Sequence, residues 1–381
     1  MAKITIMQLL PELNSGGVEQ GTLEIGDAIV AAGHNSLVVS AGGGLVSKLE
    51  ATGSRHFQLA IGAKSIRTFF TISKLAKLIE QNDVDIVHAR SRLPAWIAWF
   101  ALKKLSNPPV FVTTLHGLNS VSYYSSIMTR GKRIIAVSNT AKHYWLNNYP
   151  QLEPQHISVI NRGIEPEHYQ YSTQPDSKLR QHYAQEFKFN SEALILSLPG
   201  RVTQLKGHLK FIHLLAKLKQ QGIHCHGLII GRIKDKNSKY HDNLQQQINE
   251  LQLQDNLTFT GHRSDVLDLM SASDITYSLS QKPETFGRTV VESLALGRPV
   301  IGFEHGGVAE TLSTIFPQGL IKLNDDQALL ERTLSFIKKS PVVPRQHPYL
   351  KENMQKQTIK FYNDVIQITH SKQNLAETPS S

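Results

Sequence analysis

The chain alternates short apolar runs with longer amphipathic stretches from one end almost to the other. In the first half the runs are "KITIMQLL" (3–10), "NSLVVSAG" (35–42), "VDIVHAR" (84–90), "PVFVTTLH" (109–116) and "RIIAVS" (133–138). Between them lie segments with helical spacing, such as "GTLEIGDAIVAAGH" and "TFFTISKLAKLIEQN". The second half restarts the pattern with "ALILSLPG" (193–200), "HCHGLIIG" (224–231), "LTFTG" (257–261), "DITYSLS" (274–280) and "RPVIGFEHGG" (298–307). Continuous apolar strands separated by amphipathic helices predict parallel βαβ units, buried on both faces. The prediction is therefore α/β: two doubly wound sheets in tandem, whose ligands bind at the carboxyl ends of the strands, in a cleft between the domains.

Length agrees with two domains, since 381 residues exceed one ordinary core. The joint is expected in "VINRGIEPEHYQYSTQPDS", giving a first domain over 1–163 and a second over 164–349. The tail from 371 to 381 lacks an apolar period and is expected to be disordered. The single cysteine, Cys225, falls in a predicted strand and has no partner for an intramolecular disulfide, which fits a reducing, cytoplasmic setting. The opening apolar run is too short for a signal peptide, and no run reaches the roughly 18 residues of a membrane span.

The net charge of +10 is uneven: residues 1–163 hold 16 Lys/Arg against 9 Asp/Glu. From 101 to 150 there are six basic residues and no acidic one. Such a block suits an anionic partner (a phosphate, a lipid surface or nucleic acid) or is simply a solvated face. Here "WIAWFALKKL" (96–105) places Trp96, Trp99 and Phe100 beside Lys103 and Lys104, and "SYYSSIMTRGKR" follows. Peripheral attachment to an anionic inner leaflet is one expectation; aromatics packed on the sheet with solvated lysines is the other. No nucleic-acid recognition motif accompanies the charge, so a nucleic-acid partner is not expected.

Candidate chemistry gathers at the predicted strand ends. Gly16 and Gly17 stand where the first strand turns into a helix, so backbone amides can approach an anion there. Neither a G-x-G-x-x-G fingerprint nor a P-loop occurs. His116, with Gly117 making the turn, ends the fourth run. In "LPGRVTQLKGH", Arg201 and Lys206 are two cations ahead of a helix beginning near Leu209, an arrangement that suits a diphosphate. The second half shows no carboxylate cluster with metal spacing, so protein cations rather than a metal would neutralise that charge.

The most informative stretch is "PETFGRTVVESLALGRPVIGFEHGGVAE" (283–310). It predicts a loop, then a helix closed by Gly297. Phe286, Gly287, Arg288 and Thr289 occupy the helix N-terminus, where amides and dipole favour an anion. Glu284 precedes the turn and Glu292 lies in the first helical turns, so both can border one pocket. A carboxylate accepts two hydrogen bonds side by side, which matches a vicinal diol on a sugar or ribose. Alternatively, Glu292 only salt-bridges its own helix.

Taken together, Gly16-Gly17, His116-Gly117, "GRVTQLKG" (200–207), "GHRSDVLDLMSASDI" (261–275) and above all "PETFGRTVVESLALGRPVIG" (283–302) resemble the retaining GT-B glycosyltransferases of family four, the "glycosyl transferases group 1" type. The likeness covers nearly the whole chain. Within the family, "SGGVEQGTLEIGDAIVAAGHNSLVVSAGG" and "VDIVHARSRLPAW" resemble bacterial members acting on lipopolysaccharide or other surface glycans.

The resemblance implies a GT-B fold of two Rossmann-like domains facing a central cleft. It implies a C-terminal helix, about 350–370, that crosses back to complete the first, acceptor-side domain. The expected activity is hexosyl transfer with retention, without a metal or other cofactor, from a UDP- or GDP-sugar to a glycan or lipid-linked glycan. By resemblance, Arg201 and Lys206 bind the donor diphosphate, Glu292 the ribose, Glu284 the transferred sugar, and His116 the sugar near its anomeric centre. Amides from Phe286 to Thr289 face sugar or phosphate oxygens, and the base lies near Gly231 and Arg263. Gly16 and Gly17 complete the donor contacts. Glu284 as a nucleophile is the rival reading of that carboxylate.

Two positions depart from the family pattern: "RIKDKN" follows Gly231 where an acidic or glycine-rich turn is usual, and Arg288 replaces an apolar residue. The rival functions are a nucleotide-sugar 2-epimerase and a nucleotide-sugar-binding protein without activity.

Overall fold

The computed structural model describes residues 3–14, 16–233 and 239–377, with the backbone alone for Arg67 and residues 369–377. It divides into two compact units, Met1–Gly163 with Lys351–Ser381, and Ile164–Leu350.

The first unit holds a seven-stranded sheet: β1 (Thr5–Leu9), β2 (Asn35–Ser40), β3 (Arg55–Gln58), β4 (Ile86–Ala89), β5 (Val110–Leu115), β6 (Arg133–Ala136) and β7 (Ile157–Val159). Its order is β3-β2-β1-β4-β5-β6-β7, with every neighbouring pair parallel. The second unit holds six: β8 (Leu194–Pro199), β9 (Cys225–Ile230), β10 (Leu257–Gly261), β11 (Ile275–Ser278), β12 (Val300–Phe303) and β13 (Leu320–Ile321), ordered β10-β9-β8-β11-β12-β13 and again parallel. Each order reverses once, between β1 and β4 and between β8 and β11. At such a reversal the flanking loops splay apart and leave a crevice. Both sheets are Rossmann-like, as the alternating pattern predicts.

Three short strands escape the hydrophobic pattern. β3 (RHFQ) is an edge strand with only its two central residues half-buried, β7 has three residues and β13 two. The apolar runs also overshoot the ladders: "VDIVHAR" pairs only over Ile86–Ala89, leaving Arg90 just beyond the strand end.

The long helix Lys351–Glu377 packs back on the first unit. Met354, Phe361 and Val365 join Ile25, Ile29 and Ile86 in one core, and burying each such side chain contributes roughly 1.5–3 kcal/mol. Gln355 donates to the Glu24 carbonyl at 2.7 Å, and the Tyr362 hydroxyl meets His88 Nδ1 at 2.7 Å. The helix is described as far as Glu377, inside the tail expected to be disordered from residue 371. "SKQNLAE" has no apolar face, but Lys, Gln, Leu, Ala and Glu are all good helix formers. Residues 378–381 lie outside the described residues.

Candidate active site

In the second unit, a glycine brings two separate loops together. Gly207 has φ 77°, and a Cβ there would lie 2.0 Å from the Leu279 carbonyl oxygen. Only glycine tolerates both the left-handed backbone and that approach. The loop after β8 therefore lies against the loop after β11, an alignment also held by Gln281 N–H donating to the Leu205 carbonyl at 2.7 Å. Lys206, directly before Gly207, reaches Glu284: Nζ to Oε1 is 2.7 Å. The Ser280 hydroxyl donates to the same carboxylate oxygen.

The pair Gly306-Gly307 fixes the Glu284 backbone from the loop after β12. Gly307 N–H donates to the Glu284 carbonyl at 2.6 Å, and a Cβ on Gly307 would sit 2.4 Å from the Thr285 carbonyl oxygen. His305, two residues earlier, meets the Ser280 carbonyl at 2.6 Å. Sequence reasoning missed Ser280, His305, Gly306 and Gly307. The signal was present, since Gly-Gly follows β12 as it follows β1.

The helix Arg288–Ala295 starts from Gly287 at its N-cap. Arg288 Nε donates to Glu292 Oε1 at 2.9 Å, and the Tyr169 hydroxyl lies 3.4 Å from the same oxygen. Burial first, and the Glu292 carboxylate second, raise the Tyr169 pKa, so the hydroxyl stays protonated as a donor. Each glutamate thus has its own cation, Glu284 with Lys206 and Glu292 with Arg288. Of the four amides expected to face an anion, that of Arg288 donates to the Phe286 carbonyl at 3.0 Å. The Phe286 ring packs edge-on against Tyr349 with centroids 5.4 Å apart. Arg201 is exposed in the same β8 loop, after Gly200.

In the first unit, Gly16 caps the helix Gly17–Ala31 with φ 151°. A Cβ on Gly16 would meet the Glu19 carboxylate, and one on Gly17 would lie 2.6 Å from Arg162 Nη1. His116 follows β5, and both its ring nitrogens are buried with no hydrogen-bond partner. Burial first, then Arg162, Arg90 and His88, push its pKa well below the usual histidine value, so the imidazole is neutral. Neighbouring His88 is satisfied on both sides, by Tyr362 and by Thr114 Oγ1 at 2.6 Å.

Comparison with known proteins settles the family. The glycosyl transferases group 1 model matches residues 180–358, and the Glycosyltransferase Family 4 model matches residues 15–168. A solved glycosyltransferase from Rickettsia africae ESF-5 is 30% identical, with a TM-score of 0.82, over 96% of this chain and 99% of that one. The chain belongs to the family 4 glycosyltransferases. Anabaena HepE, solved with UDP and glucose, shares the fold at 20% identity and TM-score 0.71, covering 98% of this chain and all of that one. N-acetyl-alpha-D-glucosaminyl L-malate synthase of Bacillus anthracis is 22% identical over 274 residues, 70% of this chain and 68% of that one.

In the glycosyltransferase, the two positions expected near the base are Gly231 and Arg263. A Cβ on Gly231 would lie 2.0 Å from the Gly200 carbonyl oxygen, so its glycine lets the β8 and β9 loops touch. The Arg263 guanidinium is committed to Asp265 and Glu186, and lies 5.7 Å from the Phe187 ring centroid. That pairing holds the Asp265 carboxyl down at about 2. The unusual segment after Gly231 falls, from 234 to 237, outside the described residues. Among the described residues, no three His, Cys, Asp or Glu are grouped to hold a metal ion. None of the described helices is long and apolar enough to cross a membrane.

Proposed function

We propose that this glycosyltransferase moves a hexosyl group, with retention and without a metal, from a nucleoside diphosphate sugar to a glycan or lipid-linked glycan of a bacterial surface. The observation that carries the reading is the Lys206–Glu284 pair at 2.7 Å, with Ser280 on the same carboxylate. A cation and a carboxylate a quarter exposed, each satisfying the other, form a seat in which a donor replaces both partners. Lys206 then turns to the diphosphate and Glu284 to sugar hydroxyls, while Arg201 adds a second cation. Glu292 takes the ribose hydroxyls, and His116 contacts the sugar near its anomeric carbon.

The step is a substitution at that carbon. The bond to the phosphate oxygen breaks with its electron pair leaving on the diphosphate, and the acceptor oxygen bonds from the same face. The acceptor proton passes to the departing phosphate oxygen. Catalysis is then positioning plus charge stabilisation. Glu284 serves as a hydroxyl ligand rather than a nucleophile, since its Oε1 is held by an ammonium and a hydroxyl.

UDP- and GDP-sugars are the donors to test, UDP being supported by the ligand of the Anabaena relative. The surface-glycan acceptor rests on the resemblance of the "SGGVEQG" and "VDIVHARSRLPAW" segments. Donor hydrolysis across a nucleotide-sugar panel tests the reading. Slow release of nucleoside diphosphate supports transfer, conversion to another sugar means an epimerase, and binding without turnover means an inactive binder.

Attachment to an anionic inner leaflet from the cytoplasmic side belongs to the same proposal. Supporting it, the turn Ile66–Phe70, the 92–102 helix and the short helix Tyr123–Ser126 expose large apolar side chains. Ile66 is 82% exposed, Phe70 73% and Tyr123 74%. The Arg130 guanidinium lies 5.5 Å from the Trp96 ring centroid and 5.2 Å from that of Trp99. Lys104 Nζ donates to Ser73 Oγ at 2.9 Å, which ties the end of that helix to the helix after Phe70. Apolar tips flanked by ammonium and guanidinium groups match a headgroup region.

A further inference from the structure

The chain passes between the two units twice, after Gly163 on the way into the second and after Leu350 on the way out. The segments that lead to these crossings run side by side inside the second unit. Ile164 N–H donates to the Tyr349 carbonyl at 3.1 Å, and Ile164 pairs with Leu350 in a parallel bridge. Farther in, the Tyr171 hydroxyl donates to the Val343 carbonyl at 2.6 Å. Ile164 and Tyr349 both sit in the main core of the unit, 4% and 5% exposed. Segments bonded to each other inside a close-packed core shift together or not at all.

Each segment also sends one tyrosine to the carboxylate loop and its helix. From the incoming segment, the Tyr169 hydroxyl lies 3.4 Å from Glu292 Oε1. From the outgoing one, the Tyr349 ring packs edge-on against Phe286, two residues after Glu284. On another side the Phe286 backbone already rests on Gly307, where a Cβ would lie 2.6 Å from the Phe286 Cα. The Tyr349 hydroxyl donates to Thr314 Oγ1 at 3.2 Å, in the helix Gly306–Ile315 whose Gly307 amide holds the Glu284 carbonyl. Tyr349 thus touches both elements that set Glu284, while its own carbonyl carries the bond to Ile164.

A donor held by Glu284 and Glu292 acts on the loop and helix that these tyrosines contact. A shift of the loop meets Tyr349 through Phe286, and a shift of the helix meets Tyr169 through Glu292. We propose that Tyr169 and Tyr349 are positioning residues that link the donor seat to the two chain crossings, so that a bound nucleotide and the Ile164–Tyr349 bond stabilise one another. The link rests on the assignment of both glutamates to the donor. Such coupling is reciprocal: if opening the bond weakens nucleotide affinity, the nucleotide holds the bond shut by the same factor.

Amide hydrogen exchange of the full chain, with and without saturating UDP or GDP, tests it. With nucleotide the Ile164 amide should exchange slower by about fivefold or more, in excess of any slowing over the helix Asp326–Lys338, which reports general stabilisation. In Tyr349→Leu that excess should fall below about twofold, whereas Tyr349→Phe, which keeps the ring against Phe286, should retain it. Mere core filling would let Tyr349→Leu speed exchange with and without nucleotide alike, leaving the excess intact. That result, or no excess in the wild type, overturns the link. Should Tyr349→Leu fail to fold, Tyr169→Phe, which removes only the hydroxyl at Glu292, takes its place, and an undiminished excess overturns the link. Slowing over residues 284–292 is the separate readout of the donor seat. Its absence with nucleotide bound removes the donor assignment and the link together, whereas slowing there without excess at Ile164 removes the link alone.

Discussion

Replacing Lys206 with alanine separates what the Lys206–Glu284 pair does for folding from what it does for chemistry. At 2.7 Å and an effective dielectric constant of about 20, the two charges attract by roughly 6 kcal/mol. Both side chains remain about a quarter exposed, 26% and 25%. Desolvation and side-chain ordering therefore offset most of that attraction, leaving a net contribution of about 1 kcal/mol. Glu284 also keeps its Ser280 hydroxyl and the Gly307 amide on its carbonyl. Thermal unfolding should thus fall by only about 2–4 °C. Turnover should suffer far more, because a fixed cation facing a departing diphosphate supplies about 2.7–4 kcal/mol, or 10²–10³ in kcat. Nucleoside diphosphate release under donor saturation measures kcat, and a melting curve on the same preparation controls for folding. A kcat within threefold of wild type in a folded variant would refute the role given to Lys206. In a Lys206→Ala/Glu284→Gln cycle, the stability effects should couple in the free protein.

Further outcomes follow from the same geometry. Glu292→Ala should raise the donor Kd by about 10- to 100-fold, the worth of a charged hydrogen-bond pair, whereas Arg201→Ala should slow turnover about tenfold or more with Kd changed only a few-fold; titration and initial rates distinguish them. His208 and His226 have folded pKa values lowered to about 4, chiefly by burial. The unfolded chain therefore takes up protons first, so stability should fall as pH drops from about 6.5 to 4, by on the order of 3 kcal/mol per histidine. Denaturant titrations across that window check the slope, and a flat profile would contradict neutral burial. Co-sedimentation with anionic vesicles should exceed that with neutral ones at low salt and weaken in Phe69→Ser/Phe70→Ser; equal binding to both lipids would remove the membrane face.

Much of this fold was legible because buried parallel strands leave continuous apolar runs; "ALILSLPG" and "HCHGLIIG" need no neighbour to be recognised. β3, β7 and β13 were not, since a two- to four-residue edge strand leaves no period. The carboxylate loop was legible because Glu284, Gly287 and Glu292 lie within one helical start. Arg90 and Arg162 were missed because they follow β4 and β7, strands far apart in sequence whose carboxyl ends lie on the same side of one parallel sheet. An arginine directly after an apolar strand, as in "IVHAR", was the available hint: a buried guanidinium requires a partner. The ion pairs of Arg263 with Asp265 and Glu186 were not legible either, since Glu186 lies far away in sequence.

The central claim is that Lys206, Arg201 and the two glutamates grip an activated sugar donor, and a crystal structure with bound UDP or GDP tests it most directly. The account predicts diphosphate oxygens within about 2.7–3.2 Å of Lys206 Nζ and the Arg201 guanidinium, ribose hydroxyls on Glu292, and a Lys206–Glu284 separation clearly longer than 2.7 Å. A nucleotide seated elsewhere, with that ion pair intact, would contradict it.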